Sequence, residues 1–298
     1  MSDGDNLPDD VLRHLLKVAS EPDLSGTPYE ILSVLGRGGM GVVYAARDTQ
    51  LLRNVALKVL HSGGLIEAEA RIVASLEHPG IVPVHETGTL PDGRSYYTMR
   101  LVEGRSLDQH LIAATPLSER LRVFQKICET VAFAHSRGVL HRDLKPANIM
   151  AGPFGEVLIL DWGIARHTSD SERPGIVAGT PRFMAPEMAA GDSHLADHRA
   201  DIYSLGALLA ASLPATNVPR ALRSIAAKAM CERPADRYPD AAELNREIGR
   251  FLDGDAVLAH RETVAEQLRR FASRNSTLLL LLAAYVAARF FLFFLPRS

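Results

Sequence analysis

Five short motifs follow one another along this chain, and the segment His141-Arg142-Asp143-Leu144-Lys145-Pro146-Ala147-Asn148 constrains it most. Asp143 and Asn148 stand at the D-x-x-x-x-N spacing of a catalytic loop. Asp161-Trp162-Gly163 follows the apolar run Val157–Leu160, and Ala185-Pro186-Glu187 begins 24 residues after Asp161. Upstream lies Gly36-Arg37-Gly38-Gly39-Met40-Gly41-Val42-Val43, and 17 residues beyond Gly41 comes Lys58, at the end of Val55-Ala56-Leu57-Lys58. Glycines let a backbone fold closely over phosphates without a Cβ in the way. Taken alone, the run fits a generic glycine hairpin as well. A dinucleotide site needs a helix directly after the glycines, whereas Val42–Arg47 reads as a strand. Lys58 is flanked by apolar residues, and burying it is costly without an anionic partner. An edge-strand lysine facing water fits that residue alone equally well. Chance does not readily produce all five elements in this order.

Composition sets the surroundings. The chain has 298 residues, 47% hydrophobic and 23% charged, which is ordinary for a globular protein and far from disorder. The formal charge of −2 gives no basic field for nucleic acid, so no nucleic-acid partner is expected. Cys128 and Cys231 are too far apart for a C-x-x-C motif and read as reduced thiols. Residues 1–26 are an acidic, partly disordered lead, with a short amphipathic helix around Val11–Val18 and no secretory-signal pattern in Met1–Asp10. Strands are expected at Tyr29–Val34, Val42–Arg47, Val55–Leu60, Ile81–His85 and Tyr96–Val102, with a helix over Ile66–Leu76. Beyond Ser106 the pattern turns helical: Leu107–Ala113, Leu117–Arg137, Asp201–Ser212, Ala221–Cys231 and Asp240–Leu252, with one short strand at Val157–Leu160.

With these motifs in place, the chain resembles the eukaryotic-like (Hanks-type) protein kinases over about Tyr29–Gly254, and most of all their bacterial serine/threonine members. The resemblance implies an α+β, bilobal fold. A small β-rich N-lobe (27–102) precedes a mostly helical C-lobe (103–254), within a kinase domain spanning 27–254. It implies ATP and Mg²⁺ as cofactors, with Mn²⁺ as an alternative ion, and protein serine or threonine hydroxyls as acceptors. By motif position, Gly36, Arg37, Gly38, Gly39 and Gly41 would cover the ATP phosphates. Lys58 would hold the α- and β-phosphates and pair with Glu69. Val43 and Ala56 would roof the adenine, Met150 would floor it, Met99 would be the gatekeeper, and Arg100–Val102 would form the hinge. Asp143 would accept the hydroxyl proton, Lys145 would neutralise the transferred phosphoryl, and Asn148 and Asp161 would hold Mg²⁺. Thr168, Ser169 and Ser171 are activation-loop phosphosite candidates, through Arg142. Thr180 would contact the catalytic loop and help select serine or threonine. Glu187 and Arg237 would form a buried ion pair, and Asp201 would brace the catalytic loop.

Three features depart from the family pattern or extend it. Trp162 replaces the commoner phenylalanine. After Tyr203-Ser204-Leu205-Gly206 the chain runs through Pro214–Pro219 straight into Ala221–Cys231, so a helix that often docks protein substrates is missing or reduced. This motivates the alternative of a pseudokinase or scaffold that binds nucleotide without transferring phosphate. Finally, residues 255–276 read as a charged connector and 277–295 as a transmembrane helix, since 17 of the 18 residues in Leu278–Leu295 are apolar. Arg261, Arg269, Arg270 and Arg274 precede that run and only Arg297 follows it, which predicts a single-pass protein of the cell membrane with its kinase domain in the cytoplasm. Arg289 interrupts the run, so association with the interface without crossing is the alternative. A homodimer on the membrane is a further expectation.

Overall fold

Alternation along the first strands decides which way the small lobe faces. The computed structural model describes residues 21–39, 41–61, 72–110, 115–162, 165–167, 180–191 and 196–294. Among them a five-stranded antiparallel sheet forms in the order β1-β2-β3-β5-β4. Its strands are β1 (Tyr29–Gly38), β2 (Gly41–Asp48), β3 (Arg53–Leu60), β4 (Val84–Thr89) and β5 (Ser95–Arg100). The register pairs Val43 with Lys58 and Lys58 with Tyr97, and likewise Ala45 with Ala56 and Ala56 with Met99. Directly paired residues share a face, as do residues two apart on one strand. Val43, Ala56, Lys58 and Met99 are therefore on one face. The other face buries Val42, Tyr44, Ala46, Val55, Leu57, Val59 and Tyr96 in the lobe's own core.

The fourth strand starts later than its apolar run suggests. Ile81–His85 was the expected span, whereas pairing begins at Val84. Ile81 instead makes an isolated parallel bridge to Ile159 in the second lobe, where the Ile159 amide donates to the Gly80 carbonyl at 2.8 Å. An apolar residue here serves the seam between lobes rather than the sheet. Within the expected Ile66–Leu76 helix, residues 72–75 are helical and 62–71 lie outside the described residues. The expected N-terminal helix also lies outside them.

The larger lobe is built on α2 (Leu117–Ser136), which follows the short α1 (Leu107–His110). Leu121, Phe124, Ile127, Cys128, Val131 and Ala134 repeat at helical spacing and are buried. Around α2 pack α4 (Arg199–Ser212), α5 (Arg220–Ala229) and α6 (Ala241–Leu252), after the one-turn α3 (Pro186–Ala189). Their apolar faces join one core with Ile149, Ile159, Trp162 and Tyr238. Small strands complete the lobe: β6 (Arg105–Ser106), β8 (Ile149–Ala151) and β9 (Val157–Ile159) in one sheet, and β7 (Val139–Leu140) with β10 (Arg166–His167) in another. Residues 213–219 connect α4 to α5 without a helix. The Asp240 side chain caps α6 by accepting from the Glu243 amide at 2.6 Å.

Beyond the lobe come α7 (Val264–Arg274) and α8 (Ser276–Phe294). The expected transmembrane helix over 277–295 is not found as a single span. Among the described residues no single helix is long and apolar enough to cross a membrane. Val264–Ala272 and Thr277–Phe290 pass by length and composition only as a pair, bent by 80°.

Candidate active site

Short-range geometry brings the polar residues together where the two lobes meet. The β8–β9 pairing of Ile149 with Ile159 sets Asn148 and Leu160 opposite each other, and the Leu160 amide donates to the Asn148 carbonyl at 2.7 Å. Asp161 follows with a φ of 55°, a left-handed turn that redirects its side chain. Its Oδ1 accepts from Lys58 Nζ of β3 at 2.9 Å. The lysine side chain is 7% exposed and the aspartate side chain 46% exposed. Burial works to raise the Asp161 pKa, but the Lys58 charge and hydrogen bond, with His141 and Lys145 nearby, bring it net below the ordinary aspartate value.

Asp143 is held from several sides. Lys145 Nζ reaches Oδ2 at 2.6 Å, and the Thr180 hydroxyl donates to Oδ1 at 2.8 Å. Asn148 Nδ2 donates to the Asp143 carbonyl at 2.9 Å and lies 3.3 Å from Oδ2. The Asp143 amide donates to His141 Nδ1 at 3.2 Å. An imidazole nitrogen that accepts is unprotonated, so the His141 proton sits on Nε2 and points to the Leu160 carbonyl, 3.2 Å away. Burial lowers the His141 pKa, against the opposing pull of Asp201, which keeps the ring neutral. The ring packs against Trp162 at 4.6 Å between centroids.

Asp201 of α4 is the foundation of this loop. It is 1% exposed and accepts from the His141 amide, the Arg142 amide and His135 Nε2, each at 2.8 Å. These bonds hold Arg142 at a φ of 70°. Burial alone would raise the Asp201 pKa, but the hydrogen bond and charge of His135, with His141 and the Arg142 amide, bring it net down. Glu187 and Arg237 form a two-pronged ion pair, at 2.7 and 2.8 Å, with the arginine side chain fully buried.

The arrangement offers a cation pair facing two carboxylates. Lys58 and Lys145 suit phosphate oxygens, while the Asp161 carboxylate and Asn148 carboxamide are hard oxygen donors of the kind Mg²⁺ prefers. Among the described residues no group of three or more His, Cys, Asp or Glu side chains is arranged to hold a metal by itself. Over the cleft, a Cβ added to Gly36 or Gly39 meets nothing within 4 Å.

The protein kinase domain model matches residues 29–254. The chain belongs to the protein kinase domain family. It is similar to serine/threonine-protein kinase PknD of Chlamydia trachomatis serovar D, 36% identical over 300 aligned positions that cover 76% of this chain and 32% of that protein. PknD of Chlamydia muridarum is 34% identical, over 81% of this chain and 33% of its own. PknD of Protochlamydia amoebophila is 34% identical, over 76% and 30% respectively. The chain thus spans about a third of the length of these curated relatives.

Within this kinase domain the structure unites Lys58, Asp143, Lys145, Asn148, Asp161 and Thr180 at one cleft. Val43 and Ala56 lie on the sheet face that carries Lys58, Met99 lies at the end of β5, Val102 just beyond it, and Met150 in β8. Glu69, Gly163 and the phosphosite candidates Thr168, Ser169 and Ser171 lie outside the described residues. Sequence reasoning missed His135. It sits at the buried face of α2, where it reads as an ordinary helical residue, and only the fold reveals its bond to Asp201. Glu247 was missed too: it is fully buried and accepts from the Leu258 and Ala259 amides at 2.9 and 2.8 Å.

Proposed function

We propose that this chain is a serine/threonine protein kinase that moves the γ-phosphoryl of ATP to protein hydroxyls, tethered to the inner face of the cell membrane. The observation that carries the reading is the Asp143 carboxylate, fixed between Lys145, Asn148 and Thr180 and facing the Lys58–Asp161 pair. When bound, Mg-ATP supplies the phosphoryl group and neutralises its charge. Asp143 receives the proton of the acceptor hydroxyl. Lys145 stands beside it to balance negative charge on the moving phosphoryl oxygens. Lys58 positions the non-transferred phosphates, and Asn148 and Asp161 hold the metal. Val43, Ala56, Met99, Val102 and Met150 enclose the base, and the Gly36–Gly41 hairpin covers the phosphates.

Radiolabel transfer from ATP to a generic basic protein tests this with the full chain. Transfer that disappears in Asp143→Asn supports the kinase. A folded, ATP-binding chain with no Asp143-dependent transfer favours a scaffold instead, a reading supported by the helix-free 213–219 connection. Membrane tethering is supported by the exposed apolar length of α8 and by four arginines ahead of it against one behind. Retention of the chain in vesicles after alkaline carbonate extraction tests it, and full release would overturn it.

A further inference from the structure

The connector between the kinase domain and α8 is a built structure. Glu247 clamps the Leu258 and Ala259 amides from inside the large lobe, and Val257 is 4% exposed in that lobe's core. His260 lies 3.3 Å from the Ser224 hydroxyl of α5. Thr263 and Glu266 then form a capping box that starts α7 at a fixed point. Arg270 grips Glu262 with bonds of 3.0 and 2.7 Å, and Arg274 pairs with Asp255. These contacts tie the connector to the large lobe at Glu247 and Ser224 and to α7 at Glu262 and Asp255.

Helix α7 nonetheless leaves an apolar stripe open. Val264, Leu268 and Phe271 recur at helical spacing along one face and are 72%, 63% and 58% exposed. Arg269 and Arg274 project on either side of that face, by the 100° step of a helix. Arg269 also lines a cleft with Arg220 and Arg223 at the start of α5, which it shares with Glu262 and Glu266. The next helix turns away by 80° and exposes apolar residues from Leu278 to Phe290 all round.

We propose that α7 lies flat in the headgroup layer of an anionic bilayer, its Val264-Leu268-Phe271 stripe toward the acyl chains and its arginines among the lipid phosphates. This rests on the membrane reading of α8 given above and goes beyond it. An apolar stripe flanked by arginines is the pattern of an interfacial helix. The near-right-angle bend is what an in-plane helix followed by an inserted one requires. Continuity with α8, apolar but for Ser276, Thr277 and Arg289, selects lipid over a second copy of the chain. Because Glu247 fixes the connector, the large lobe is then held at one orientation to the membrane.

Two tryptophan reporters test this in the full chain, each read as the difference from the parent, whose sole tryptophan, Trp162, is 2% exposed. Phe271→Trp and Tyr285→Trp chains are reconstituted in vesicles of phosphatidylcholine with phosphatidylglycerol, with and without brominated phosphatidylcholine. The Phe271→Trp emission should shift to the blue and be quenched about twofold by brominated lipid, with weaker quenching when phosphatidylglycerol is omitted. If Tyr285→Trp is quenched while Phe271→Trp is not, the membrane reading stands and the α7 proposal falls. A blue shift at Phe271→Trp without lipid quenching means protein covers the stripe, which also overturns the proposal. If neither reporter is quenched, both readings fall.

Discussion

At Asp143 both carboxylate oxygens are already engaged, Oδ1 by Thr180 and Oδ2 by Lys145. The threonine bond fixes the carboxylate's rotation, so Thr180 acts as a positioning residue. Thr180→Val should lower kcat for phosphoryl transfer about tenfold, the worth of one hydrogen bond to a charged acceptor, and leave the KM for ATP unchanged. Thr180→Ser should restore the rate, which a merely structural role would not require. His141 sets a pH dependence. Its pKa lies below ~6.5, so the folded ring stays neutral while the unfolded chain takes up a proton as pH falls. Stability from this group is therefore complete above pH ~6.5 and is lost below it, by up to ~1.4 kcal/mol per pH unit until the folded value is reached. His78 and His85 are shifted down by burial in the same direction. Urea midpoints measured between pH ~7.5 and ~5.5 should fall, and His141→Leu, though weaker at the upper pH, should show a shallower slope.

Among the elements, the β1–β2 hairpin separates two uses of glycine. A Cβ on Gly41 would lie 2.3 Å from the Val59 carbonyl oxygen and 2.9 Å from the Leu60 Cα, backbone that cannot yield without opening β2 from β3. Gly41→Ala should cost about 1–3 kcal/mol in the urea midpoint, as overpacking does. Gly36→Ala meets nothing in the fold, so its midpoint should not move while the KM for ATP rises as the methyl group enters the nucleotide's space. Most strands and helices were legible because one face of each is buried, which writes period two or 3.6 into the residues. Ile81 was not legible, since an apolar residue carries no mark of which lobe it will bridge. Glu247 was hidden for the opposite reason. On a helix with Glu243, Arg246 and Arg250 it reads as one more solvated charge, and its burial depends on amides more than ten residues onward. The motif residues were readable because phosphate chemistry fixes type and spacing together, while the network beneath them, His135 above all, is set by helix packing alone.

For the whole molecule, the Glu187–Arg237 pair ties the segment after Thr180 to the far end of the large lobe. Glu187→Gln would leave a fully buried guanidinium without its counter-charge, and should lower global stability by roughly 3–5 kcal/mol, read by urea denaturation. Glu247 has a lowered pKa: burial opposes, but the Leu258 and Ala259 amides and Arg250 outweigh it. Its clamp therefore holds fully above the ordinary glutamate value of ~4.3 and loosens as pH falls through the folded one. Limited proteolysis should cut Glu247→Gln between residues 255 and 263 faster than the parent chain, with the kinase domain left intact. Among the described residues, the two lobes are joined by chain at 101–104, by the Ile81–Ile159 bridge, by His78 stacked on Phe133 and by Ile72, Val73 and Leu76 packed into the large lobe's core. The small lobe is thus sewn to the large one along a seam rather than hung from a single strand of chain. Lys58 and Asp161 meet across the cleft from opposite lobes, so the fit of that seam decides whether the lysine reaches its partner.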